Sequence, residues 1–85
     1  MLMPEVASFE GIKILFYHDD HPPPHFHARY AENEAMIDIE TGDIIEGWLP
    51  RAQFRKVKIW AAPRRTELRL AWMMCESDLV PEKIK

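Results

Sequence analysis

Apolar and polar side chains alternate through the first half of the chain and recur every three or four residues through the second, a pattern that predicts a sheet followed by helices. In Ile12-Lys13-Ile14-Leu15-Phe16-Tyr17, the residues Ile12, Ile14 and Phe16 share one face of a strand, and Tyr17 opens a polar loop. Beyond three consecutive prolines, Phe26, Ala28 and Tyr30 alternate with His25, His27 and Arg29, so a second strand turns its apolar set inward and a His-His-Arg stripe outward. The polar stretch Ala31-Glu32-Asn33-Glu34 is short enough to close a hairpin to a third strand, where Ala35, Ile37 and Ile39 alternate with Met36, Asp38 and Glu40. Thr41-Gly42 supplies a tight turn into Asp43-Ile44-Ile45-Glu46. Four antiparallel strands in meander order are expected.

From Pro50 the period changes. Phe54, Val57, Trp60 and Ala61 recur at helical spacing, while Arg51, Arg55 and Lys58 occupy a different stripe of the same helix. Pro63 ends this helix or starts the next, and Leu68, Trp72, Cys75 and Leu79 define the apolar stripe of a second one from about Pro63 to about Ser77. The economical arrangement is an α+β fold, a four-stranded antiparallel meander with two C-terminal helices packed on one face. A single domain over residues 1–80 with a free tail over residues 81–85 is expected, because 85 residues at 47% hydrophobic composition support one modest core.

Charge sharpens this division. Residues 1–49 carry ten acids against Lys13 and Arg29, a net of −8, and residues 50–85 carry nine bases against four acids, a net of +5. Such a dipolar chain either complements itself within the fold, associates with itself or meets two different partners. The single Cys75 cannot form an intramolecular disulfide, no apolar run is long enough to span a bilayer, and Met1 to Phe9 show no signal-peptide pattern. A reducing cytoplasm is the expected compartment, with no membrane partner.

All four histidines fall in the run from His18 to His27, with Asp19, Asp20 and the three prolines. Imidazole and carboxylate are ligands for zinc, manganese, nickel or iron, and His25 and His27, two apart on a strand, point the same way. His21 and Asp20 complete a candidate metal set, with His18 as a further imidazole. The same rings serve equally in a metal-free anion or catalytic site, or as structural hydrogen-bonding groups. Candidates for a protein nucleophile are thin: Ser8 and Ser77 sit outside the strongly patterned elements, Thr41 is a turn residue, and Cys75 lies on the apolar helical stripe, where a thiol is more often buried and inert than nucleophilic. An enzyme would therefore use a metal-activated water, with Asp20 or Glu34 accepting the proton and Arg29 steadying a phosphate.

Seven bases, Arg51, Arg55, Lys56, Lys58, Arg64, Arg65 and Arg69, fall between Pro50 and Leu70 with only Glu67 among them. Arg64 and Arg65 stand near the start of the second helix, where a recognition helix carries its contacts to nucleic acid. The same face can dock an acidic protein or be solvated beside the acidic hairpin from Glu32 to Glu46. Trp60 and Trp72 fall on apolar helical stripes and belong to the core or an interface; for Trp48 the pattern does not choose.

Phe9-Glu10-Gly11-Ile12-Lys13-Ile14, Asp20-His21 with Pro23-Pro24-His25-Phe26-His27, Ile37-Asp38-Ile39, Gly42, Gly47-Trp48-Leu49-Pro50, Trp60, Leu68 and Trp72 together resemble the small bacterial domain-of-unknown-function family 4160 over nearly the whole chain. The resemblance implies a compact α+β domain and a gene beside that of another small domain, similar to toxin–antitoxin pairs. Pro22 lengthens the proline run beyond the family pattern, and Ala62-Pro63-Arg64-Arg65 replaces a more polar helix start. The reading is of a small binding or regulatory module in a two-gene system. Arg51, Arg55, Lys58, Arg64 and Arg65 would contact a protein or nucleic acid, and His25, His27 and Arg29 would form a second site that can take a divalent metal. The alternative is a metal-dependent hydrolase or nuclease using His21, His25 and His27. A homodimer through an uncovered sheet edge is a third arrangement.

Overall fold

The computed structural model describes residues 4–18 and 20–85. The fold is α+β, with an antiparallel meander of five strands in sequential order: β1 (Glu5–Phe9), β2 (Ile12–Leu15), β3 (His25–Tyr30), β4 (Asn33–Asp38) and β5 (Ile44–Gly47). Helix α1 (Arg51–Ala61), a 3₁₀ turn over Ala62–Arg64 and helix α2 (Arg65–Glu76) follow without an intervening loop. The expected four strands are thus five, and the two expected helices are joined pieces of one helical run.

The additional strand, β1, lacked a readable alternation because the β1–β2 register slips between Glu5 and Ala7, a bulge that breaks the period of two. Its turn is Glu10-Gly11, both at positive φ (49° and 79°), as a two-residue hairpin loop with the twist of its flanking strands requires. The β3–β4 turn is also tighter than expected. Tyr30 pairs with Asn33, only Ala31 and Glu32 lie between them, and Glu34 is thereby a strand residue opposite Arg29.

One core joins the sheet to the helices. Ile12, Ile14, Phe16, Phe26, Ala28, Ala35, Ile37 and Ile39 are all buried, as the alternation predicts, and meet Val57, Ala61, Leu68, Ala71, Trp72 and Cys75. Trp60 stacks on Phe9 at 5.2 Å between ring centroids and meets Phe26 edge-on. Pro50 is the cap residue of α1 rather than its first helical residue. Helix α2 stops because Asp78 turns left-handed (φ 60°) and Leu79 N–H reaches back to the Met74 carbonyl at 2.7 Å, a Schellman closure with aspartate where glycine is usual. Leu79, expected on the apolar stripe, therefore lies past the helix and is exposed, and Trp48 is exposed as well.

The last residues are docked rather than free. Pro81 is buried, Ile84 packs against the core and donates its N–H to the Val6 carbonyl at 2.8 Å, and Lys83 Nζ reaches the Glu5 carbonyl at 2.7 Å. The segment covers the outer edge of β1. The opposite edge, β5, is four residues long, carries a register irregularity against β4 and ends in Gly47 at φ 84°, features that blunt an edge against further pairing. No helix among the described residues is long and apolar enough to cross a membrane.

Deleting residues 82–85 removes the Ile84 contacts and its backbone bond. It is expected to lower unfolding free energy in urea by about 1–3 kcal/mol. An unchanged midpoint and slope would mean that the segment contributes nothing to the fold.

Candidate metal centre

Alternation puts His25, His27 and Arg29 on the face of β3 away from Phe26 and Ala28, as the sequence predicts, yet His25 and His27 are only 1% and 6% exposed. The cause is the loop between β2 and β3. It folds back over this face, laying Tyr17 against His27 at 4.1 Å between ring centroids and bringing Asp20 onto both imidazoles. Trp72 of α2 closes the other side of His25 at 4.9 Å.

Asp20 Oδ2 lies 2.8 Å from His25 Nε2 and 3.0 Å from His27 Nε2. One ligand atom from each of Asp20, His25 and His27 falls within 4.8 Å of the others, a grouping that can hold a metal ion. The second nitrogen of each ring is also engaged. His25 Nδ1 is 2.6 Å from the Pro23 carbonyl, and His27 Nδ1 is 3.1 Å from Glu34 Oε2. Glu34 is itself held by three donors: Tyr17 O–H to Oε2 at 2.7 Å, and Arg29 Nε and a terminal N–H to Oε1 at 3.1 and 3.0 Å.

Burial alone raises the Asp20 carboxyl, but its contacts with His27 and His25 outweigh that and hold it below its ordinary 3.8. Burial likewise acts to raise Glu34, and the Tyr17 and Arg29 hydrogen bonds with the nearby charges bring it below its ordinary 4.5. Tyr17 is pushed up, first by burial and then by its Glu34 partner. Both carboxylates are therefore ionised at neutral pH.

Of the four residues expected as ligands, the fold brings together Asp20, His25 and His27. His21 stays on the rim: its side chain is 79% exposed, and its Nδ1 meets the other Asp20 oxygen at 3.2 Å. His18 is turned away toward Asp78, 3.4 Å from Nδ1, with its Nε2 buried and unpartnered. Asp19 lies outside the described residues. Glu34, considered from sequence as a proton acceptor, is instead an anchor for His27. Tyr17 was missed as a site residue; its place at the end of an apolar strand gives no sign that the chain doubles back there.

The basic residues disperse. Arg29 is committed to Glu34, Lys58 pairs with Asp43 at 3.6 Å, and Arg64 donates to the carbonyls of Trp60 and Lys85 while lying over the Trp60 ring. Lys56 meets Glu10 and Arg69 meets Glu40. Arg51, Arg55 and Arg65 are exposed, and among the described residues none has a salt-bridge partner within 4.0 Å.

The sequence model of the family described as "Domain of unknown function (DUF4160)" matches residues 11–73, from the β1–β2 turn into α2, and so spans the whole candidate centre. The chain belongs to this family. No curated protein and no solved structure gives a significant match.

Two predictions test this geometry. A Cβ on Gly47 would stand 2.2 Å from the Glu34 carbonyl oxygen, which also accepts from Trp48 N–H at 3.2 Å. Gly47→Ala is accordingly expected to cost about 2 kcal/mol or more in a denaturant titration, through displacement of the β4 backbone at Glu34 and a strained φ. The second concerns acid. Because the folded-state Glu34 and Asp20 lie below their ordinary values, the unfolded chain binds protons first as pH falls. Their contribution is complete above the ordinary 4.5 of Glu34 and is lost as pH drops through the folded values. Stability followed from roughly pH 6 to pH 3 should fall, and fall less steeply in Glu34→Gln; equal slopes would contradict the assignment.

Proposed function

We propose that this domain binds one divalent transition-metal ion between His25 Nε2, His27 Nε2 and Asp20 Oδ2. The observation that carries the reading is the placement of hydrogen-bond acceptors around the two rings. The Pro23 carbonyl can only accept, so His25 holds its proton on Nδ1 and, when neutral, turns the Nε2 lone pair toward an ionised carboxylate oxygen 2.8 Å away. Both nitrogens of His27 face carboxylate oxygens, and a neutral ring has one proton for two such partners. Positive charge is needed where Nε2, Nε2 and Oδ2 converge. Either both rings become imidazolium, or one divalent cation takes the place of the two protons.

The cation fits the surroundings better. Two imidazolium rings would stand side by side in a buried layer, 5.1 Å between centroids. Metal-binding histidines usually donate their other N–H to a backbone carbonyl or carboxylate, the roles filled by Pro23 and Glu34. The spacing also suits ligation. Two ligands at about 2.1 Å from one ion are about 3.0 Å apart at a right angle and about 3.4 Å apart at the tetrahedral angle. The Asp20 separations of 2.8 and 3.0 Å are compatible with neighbouring ligands of one ion, and two histidines with one carboxylate are a ligand set used by transition metals. Such a site leaves coordination positions for a water or another ligand, with His21 on the rim available as a fourth protein ligand.

A second reading is favoured by a separate observation. Arg51, Arg55 and Arg65 remain exposed after the other bases have found acidic or carbonyl partners. These arginines would be the bases available to an acidic protein or nucleic acid, as a binding or regulatory role in a two-gene system requires.

Calorimetric titration of metal-free protein with zinc, manganese, nickel and iron(II) should reveal one site per chain, with proton release that grows at lower pH. Asp20→Asn and the His25→Ala/His27→Ala pair should abolish stoichiometric binding while keeping the circular dichroism of the fold. Failure of all four ions to bind the folded wild type would refute the site and leave the arginine face as the functional surface.

A further inference from the structure

We infer that Glu34 is the positioning residue of this centre, setting which nitrogen of His27 carries the proton and thereby how tightly the ion is held; the inference rests on the metal reading above. Arg29 makes this control directional. Its Nε–H and a terminal N–H both point at Oε1, which anchors that oxygen and leaves Oε2 for His27 Nδ1 and the Tyr17 hydroxyl. With an ion between Nε2 and Asp20, an oxygen at that place accepts the His27 proton from Nδ1 and leaves the Nε2 lone pair to the ion.

The backbone of Glu34 is fixed as firmly as its side chain. Gly47 passes so close that no Cβ fits, and Trp48 N–H bonds the Glu34 carbonyl. The same face offers a control of like charge: Glu46 is exposed and pairs across the strands with Met36, which in turn pairs with His27, and a shallow cleft is lined by His27, Glu34, Met36 and Glu46. Glu46 makes no hydrogen bond to either histidine ring; the ring partners are Asp20, Pro23 and Glu34.

These contacts predict an unusual outcome for the near-isosteric Glu34→Gln. The two Arg29 donors require an oxygen at the Oε1 position, so the new amide NH₂ falls where Oε2 was and donates to His27 Nδ1. The ring proton then moves to Nε2, where it points at Asp20 and blocks the coordinating lone pair. Glu34→Gln should therefore lose metal affinity with all three ligands intact, by the 10–100-fold typical of lost outer-shell partners. Glu46→Gln, which removes the same charge from the same cleft, should leave affinity within about twofold.

Two measurements test this. Two-bond proton–nitrogen NMR spectra of the metal-free proteins, taken at a pH where the His27 ring is neutral, should show a populated Nδ1–H form in wild type and Glu46→Gln, and the Nε2–H form alone in Glu34→Gln. Zinc calorimetry should show the matching loss in Glu34→Gln alone. If wild type binds zinc and Glu34→Gln binds it equally or keeps the Nδ1–H form, the positioning role is overturned and the metal site stands. Equal weakening by Glu46→Gln reduces the effect to long-range charge and also overturns it. If wild type binds none of zinc, manganese, nickel and iron(II), the metal reading fails and this inference with it; if it binds one of the others, the comparison is made with that ion. Should Glu34→Gln not fold, Glu34→Asp keeps the charge but withdraws the carboxylate by one methylene; it is expected to weaken zinc binding, and unchanged affinity would again overturn the proposal.

Discussion

A carboxylate set against two buried imidazoles organises everything on the polar side of this sheet. His25 and His27 lie on the face of β3 opposite Phe26 and Ala28, with Trp72 of α2 against one side of His25. Their burial is created by the β2–β3 loop, which returns across the sheet to place Asp20 on both Nε2 atoms and Tyr17 on the His27 ring. Buried polar groups require partners, so once the loop covers the rings, all four ring nitrogens must be answered, and Asp20, Pro23 and Glu34 supply the acceptors. Arg29 and Tyr17 in turn orient Glu34. The sheet thus carries a hydrophobic core with the helical run on one face and, over β3 and β4, a hydrogen-bonded layer on the other, while Ser8, Lys13 and Glu46 on that face stay exposed.

The charge asymmetry of the chain resolves largely within the fold. Lys58 with Asp43, Lys56 with Glu10, and Arg69 with Glu40 each join the helical segment to a turn of the sheet. Exposed pairs of this kind contribute little stability individually, and their effect, with the carbonyl contacts of Arg64, is to leave, of the seven bases, Arg51, Arg55 and Arg65 without an ion-pair partner among the described residues. The sheet edges are also managed: docked C-terminal residues cover β1, and irregular pairing with a strained glycine blunts β5.

Membership of a family described only as a domain of unknown function leaves the chemistry to be read from the site. The physical content of that site is specific. Three atoms of metal-ligand type converge, the remaining ring nitrogens are held by acceptors, and a carboxylate anchored by two arginine donors stands behind one ring. Structural hydrogen bonding, metal ligation and metal-assisted hydrolysis share these residues, and they differ in what occupies the space between the two Nε2 atoms and Asp20.

Local pattern in the sequence was sufficient for the α+β class, the meander, the inward apolar set from Ile12 to Ile39, the helical stripes from Phe54 to Cys75 and the pairing of His25 with His27 on one face. Each follows from side-chain periodicity, which strand pleat and helix pitch translate directly into faces. Position in the run of histidines could not separate His21 from His25 and His27, because proximity along a proline loop does not say which ring turns inward. The fifth strand was hidden by a bulge, and the docking of Ile84 on Val6 joins residues at opposite ends of the chain. Only the tertiary structure decided that Asp20 reaches both rings, that Glu34 belongs to a strand opposite Arg29, and that the β2–β3 loop seals the site. Those contacts depend on where a loop returns and how strands register, which are properties of the whole sheet rather than of any short segment.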